Sequence, residues 1–148
     1  MHHQPLAGAL FFAAGVVALM GIITAEAFYP GYSTRENTTI SDLGASMPPE
    51  SVVVEPSATI FNAIMILTGL LVIAGAFLLF GAAWGRGLTI LIGLFGAGVL
   101  GVGIFPGDNP AMHPLFSMLA FVAGGLSAVA SSRVVVPPFR YLSASLGG

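Results

Sequence analysis

The chain has no cysteine and no lysine, and charged residues fill only 7% of its 148 positions. Without cysteine there is no disulfide, no thiolate metal ligand and no Cys nucleophile, and the redox compartment cannot be read from thiols. An ordinary soluble domain carries roughly 25% charged residues, so most of this chain cannot present a solvated surface. No basic cluster exists, which excludes nucleic acid as a partner. Neither a G-x-S-x-G elbow nor a helical H-E-x-x-H occurs, so the sequence carries no motif for a serine hydrolase or a zinc protease. The formal net charge of -2 decides little, because the sign of each loop matters more than the total.

What the chain does have is hydrophobic residues, 56% of it, gathered in four long runs. These predict an all-α, four-span transmembrane helical bundle forming a single domain over 1–148. The spans run from about Leu6 to Phe28, Ala58 to Ala83, Leu88 to Phe105 and Pro114 to Arg133. Each is near the roughly twenty residues that cross a hydrocarbon core of about 30 Å. They must be helices, since backbone polar groups find no water in lipid and a helix satisfies them internally. Pro5 and Pro114 suit first-turn positions, Ser57 is a candidate N-cap, and Pro137-Pro138 stops the last span. The tail with Phe139, Arg140 and Tyr141 reads as an interfacial anchor. Ala25-Glu26-Ala27 has the form of a signal-peptide cleavage site, but the start lacks a basic residue and the apolar run is too long, so the span is expected to be retained.

Arginine sets the orientation. Arg86 lies in the turn between spans two and three, and Arg133 and Arg140 follow span four, whereas the opposite side has only Arg35. Both termini are therefore expected in the cytoplasm, with an outer loop over 29–57 and a short outer turn over 106–113. Tyr29-Pro30-Gly31 ends span one as Phe105-Pro106-Gly107 ends span three, which suggests two helical hairpins related by a pseudo-two-fold axis. Gly93, Ala97 and Gly101 on span three, and Ala120, Gly124 and Ala128 on span four, form small-residue faces that favour close packing inside the bundle over a homo-oligomer contact.

The residues able to carry chemistry fall on the outer side. Glu26 lies about one turn before Pro30, Asn62 lies about a turn into span two, and Asp108 and His113 flank the start of span four. The outer loop carries Arg35, Asn37, Ser41 and Asp42. Ile40, Leu43 and Met47 give a short helix over Ser41 to Met47 one apolar face, with Asp42 in its first turn, where the helix dipole stabilises a carboxylate. The loop is expected to fold back so that Asp42 approaches His113 or Arg35. Asn37-Thr38-Thr39 matches the glycosylation acceptor pattern, although a local turn explains it as well. His113, next to a helix N-terminus, is expected to be neutral and able to accept a proton or bind a metal. In the stretch Phe105 to Pro114, Pro106 should end span three, Gly107 reverse the chain, Asp108 and Asn109 satisfy free backbone donors, and Pro110 stiffen the approach to His113.

The combination of Tyr29 to Ala45, Ile60 to Leu71 and Gly101 to Leu126 resembles the archaeal and bacterial membrane proteins grouped as domain of unknown function 998. The Ser-Asp-Leu-Gly at 41–44 and the Phe-Pro-Gly with downstream His113 are the most specific parts. More distantly, the layout is similar to Frag1-like membrane proteins. The resemblance implies a helical bundle whose members are often longer, and it names no reaction.

Two function classes follow from the residues. In one, the outer mouth binds an anionic lipid headgroup: the N-terminal ends of spans two and four face outward, and Arg35 supplies a phosphate-matching fork, with Asn37, Ser41, Asp42, Asn62, Asp108 and His113 around it. In the other, His113 with Asp42 and Asp108 performs acid/base hydrolysis or transfer on a lipid, or His113 with Asp42 and Glu26 holds a metal. His2 and His3 lie on the other side, so bis-histidine haem and a three-His zinc site are not expected. The middles of the spans lack ionisable residues, which disfavours a proton or ion pathway. A structural subunit of a membrane assembly, with a membrane-protein partner, is the remaining alternative.

Overall fold

The computed structural model describes residues 3–33, 39–80 and 85–147. Its elements in chain order are α1 (His3–Ala27), a single 3-10 turn (Ile40–Leu43), α2 (Ser57–Leu79), α3 (Arg86–Ile104), α4 (Met112–Ser131) and α5 (Phe139–Gly147), with no strand among the described residues. The first four α-helices are long and apolar enough to cross a membrane, and the chain is a multi-pass membrane protein. Their ends agree with the sequence reading to within a few residues; the expected end of span two at Ala83 falls outside the described residues.

The helices pack serially and antiparallel: α1 on α2, α2 on α3, α3 on α4. Small residues set the distances. At the centre of the α2–α3 seam, a Cβ on Gly69 would stand 2.6 Å from the Leu100 backbone nitrogen and 2.7 Å from the Gly96 carbonyl oxygen. Only glycine permits that approach, which lipid-embedded helices use in place of a hydrophobic driving force. On α3 the small residues divide between two neighbours: Gly96 and Gly103 face α2, and Gly98 and Gly101 face Ala120 and Phe116 of α4. The face expected from Gly93, Ala97 and Gly101 is thus internal, but it is split.

α1 and α4 do not pack against each other as a pair. Both border one groove, whose floor is α2 and α3. The helix row is therefore curved, with one open seam along the membrane.

Two local expectations are corrected. Ser57 is not an N-cap: it is the first residue of α2, and its buried hydroxyl donates to the Leu43 carbonyl at 3.1 Å. The tail does not lie flat as an anchor. Ser143 meets Ser131 through their hydroxyls at 2.7 Å, and Gly147 lies against Gly125 and Ala128, so α5 turns back and runs antiparallel along the C-terminal half of α4.

The two Pro-Gly turns are also not copies of one another. Gly31 adopts a left-handed φ of 75°, whereas Gly107 has no positive φ and is instead buried against the Ala45 carbonyl.

Candidate functional site

The loop and turn that join the helices at one end of the bundle fold onto each other. Leu43 and Ala45 are fully buried, and Leu43 packs in a cluster with Ala25, Phe61 and Met65. Gly44 lies over Phe61 and Asn62, and Gly107 covers Ala45 from the other side. The Ser-Asp-Leu-Gly segment is thus clamped between the first turns of α2 and the α3–α4 turn.

Asp42 is consumed by this local fold. Its carboxylate accepts from the Thr39 backbone N–H at 2.6 Å, and the Asp42 N–H returns a bond to the Thr39 carbonyl at 3.0 Å. The reciprocal pair closes the 3-10 turn as a capping box does. The longer helix expected to reach Met47 stops here, and of its apolar face only Leu43 is buried while Ile40 and Met47 are exposed. The Tyr32 hydroxyl donates to the same Thr39 carbonyl at 3.1 Å. Burial, then the carboxylates of Glu26 and Asp42, push the Tyr32 phenol above its ordinary pKa.

His113 is equally tied, and only 5% exposed. Its Nδ1–H donates to the Phe105 carbonyl at 2.8 Å, since a carbonyl only accepts. Phe105 is where α3 ends, and the bond satisfies a carbonyl released by that helix. Asn109 completes the turn: its side-chain oxygen accepts from Met112 N–H at 3.0 Å, its carbonyl from His113 N–H at 3.1 Å, and its own N–H donates to the Pro106 carbonyl at 2.9 Å. The Phe105 and Phe116 rings stack at 5.4 Å. Asn109 thus satisfies free donors as expected, whereas Asp108 is exposed.

These bonds also occupy the helix ends that were expected to hold a phosphate. In α2, Ala58 N–H donates to the Val54 carbonyl at 2.9 Å and Thr59 N–H to the Glu55 carboxylate at 3.2 Å. In α4 the first two donors go to Asn109, and Pro114 has none. The helix N-termini cap themselves.

Nor do the candidate ligands converge. Among the described residues no three His, Asp or Glu side chains stand close enough to hold a metal ion, so His113, Asp42 and Glu26 do not form a metal set. Asp42 and His113 each bond to backbone rather than to one another. Asn62 lies beneath Gly44, its Oδ1 buried without a partner. Arg35 and Asn37 lie outside the described residues.

What the sequence did not reveal is the groove. At the loop end it widens to a cavity of about 480 Å³ between the 3-10 turn, α2, α3 and α4. Thr39, Ser41 and Ser117 bring hydroxyls to an otherwise apolar wall that includes Val99 and Phe121. Thr39 and Ser41 share one hydrogen bond at 2.9 Å, leaving one hydroxyl proton to spare. Among the described residues, Ser41 is thus the one proposed ligand-binding residue that borders this space. Phe121, 81% exposed, stands at its rim. Farther along, a second cavity of about 340 Å³ lies between α1 and α4, and Phe95 borders both.

A multi-pass helical bundle with a membrane-facing groove is the class that fold and site define. The chain belongs to the family described as Protein of unknown function (DUF998), whose pattern matches residues 12–146. No curated protein and no solved structure matches it.

Proposed function

We propose that this DUF998 protein binds a membrane lipid from the side, its headgroup against Thr39, Ser41 and Ser117 at the loop end and its hydrocarbon chain in the groove below. The observation that carries this reading is the 480 Å³ cavity itself, with hydroxyls at its loop end and apolar side chains along the rest. Pockets of this kind take ligands through a mostly apolar wall and a few polar contacts that fix orientation. An anionic headgroup would draw on Arg35, because the helix-end donors are already engaged. The loop end faces outward and His3, Arg86 and Arg133 lie on the cytoplasmic side, following the excess of arginine there.

Metal-assisted or acid/base action on the lipid has less support, since His113 and Asp42 are held by backbone partners. A role as an assembly subunit would instead fill the open α1–α4 seam with a partner helix.

Native mass spectrometry of the gently solubilised protein tests the proposal. Wild type should carry a lipid, and Ser117→Phe, which fills the cavity, should lower retention by about tenfold, equivalent to about 1.4 kcal/mol. Retention unchanged by Ser117→Phe would refute the site.

A further inference from the structure

The second cavity poses a separate problem. It lies between α1 and α4 at mid-span, walled by Phe11, Ala14, Gly15, Phe95, Thr68 and Ser127 among others. Thr68 stands about 16 Å along α2 from Ser57, at 1.5 Å per residue, half-way through the span. It is 6% exposed, and its Oγ1 is buried with no hydrogen-bond partner.

That is unusual within this molecule. Hydroxyls inside membrane helices normally donate to a carbonyl one turn back. Thr24 does so to Met20 at 2.7 Å, Thr89 to Arg86 at 2.9 Å, Ser127 to Gly124 at 2.8 Å and Ser131 to Ala128 at 2.8 Å. Thr68 does not. In hydrocarbon no solvent replaces the missing bond. Water is a poor candidate, because a buried water typically makes about three hydrogen bonds and, beside Thr68, this wall offers only the Ser127 hydroxyl as a side-chain partner. A plain acyl chain would fill the space and leave Thr68 unpaired.

The walls add a shape. Phe11 from α1 is bedded on Gly75 of α2, and Phe95 from α3 on Gly124 of α4, so two aromatic rings border the cavity. Ala14 and Gly15 leave the α1 side without bulk, and a Cβ on Gly15 would meet nothing within 4 Å.

We propose that this mid-membrane cavity is a second binding site, separate from the loop-end mouth, for a neutral, ring-bearing lipophile with a carbonyl oxygen that Thr68 meets by donating its hydroxyl proton. The ring lies among Phe11 and Phe95, where offset or edge contacts between aromatic groups are favourable, and the open α1–α4 seam admits the molecule directly from the bilayer. The site does not depend on the headgroup reading, since Thr68, Phe11 and Gly15, which define it, do not line the loop-end cavity, and only Phe95 borders both.

Decylubiquinone, a ring with carbonyls, and decylbenzene, a ring without them, are suitable probes, with binding followed by native mass spectrometry and thermal unfolding of the detergent-solubilised protein. Wild type should bind decylubiquinone about tenfold more tightly than decylbenzene. Thr68→Val, which keeps the shape and removes the donor, should bring the two probes to the same affinity. Gly15→Leu, which fills the cavity, should bind neither and stay folded, because its side chain enters open space. The proposal fails if Thr68→Val keeps the preference, if Gly15→Leu leaves binding intact, or if wild type binds neither probe because a second copy of the chain closes the seam.

Discussion

The α2–α3 seam and the α1–α4 seam are built from the same kinds of residue and end in opposite states. Across the first, backbone meets backbone at Gly69 and Gly96, with no room for a single added carbon. Across the second, small residues such as Ala14 and Gly15 face an opening with a cavity of about 340 Å³, and the cavity of about 480 Å³ toward the 3-10 turn shares Phe95 with it. In lipid, apolar surface alone does not pull helices together, so close packing of small residues is what closes a seam. Where small residues face no complementary helix, the space left over is open to membrane molecules. The closed seam holds the fold, and the open seam is where function is expected.

The largest effect should come from destroying the closed seam. Gly69→Leu places a side chain against the α3 backbone, which cannot yield as a flexible side chain can. Overpacking costs about 1–3 kcal/mol in ordinary cores, and here the obstacle is main chain, so the variant should fail to give a monodisperse species in size-exclusion chromatography. A well-behaved Gly69→Leu protein would show the seam to be looser than described.

Next is the turn that caps both seams at the loop end. His113→Ala removes the donor that satisfies the Phe105 carbonyl, and stability in thermal unfolding should fall by about 1–3 kcal/mol. Lipid retention should persist, because His113 does not line the groove. Loss of lipid with unchanged stability would instead return His113 to the binding site. Asp42→Ala should cost about 0.5–2 kcal/mol, the usual range for a lost cap, and hydrogen exchange should rise first at residues 39–44.

The smallest effect concerns Tyr32. Its phenol pKa is raised by burial and then by Glu26 and Asp42, so the fold favours the neutral form. Its contribution is fully present below the phenol's unfolded pKa of about 10 and is lost as pH rises through the higher folded value. Ultraviolet titration should show one tyrosine ionising late, and Glu26→Gln should bring that step to lower pH.

How much of this was legible follows the same division. The four spans were readable because a long apolar run without charge has one stable form in a membrane. The Phe-Pro-Gly turn and the helix-starting Pro114 were readable because proline and glycine restrict backbone in known ways. Side-chain partners were not. Ser57 looks like a cap in sequence, yet its hydroxyl is claimed by Leu43, a residue brought there by the loop's folding. The polar residues attracted the functional reading, but Asp42 and His113 spend their polarity on local backbone. The groove left no trace because α1 and α2 are apolar on every side, so no stripe marks which face meets a helix and which meets an opening. Thr68 is one hydroxyl in such a run, and nothing in its neighbours separates it from Thr24 or Thr89, which bond to their own helices.

The central claim is that lipid is held in the open groove rather than merely adhering to the apolar exterior. Phe121 at the groove rim and Phe77 on α2 are 81% and 77% exposed, so they differ in location and hardly in accessibility. Replacing each in turn with a benzoylphenylalanine photoprobe, washing the solubilised protein extensively, and irradiating it compares the two places directly. The account predicts covalently captured lipid at position 121 and little or none at position 77 in intact-protein mass spectra. Equal capture at both positions, or none at 121, would contradict it.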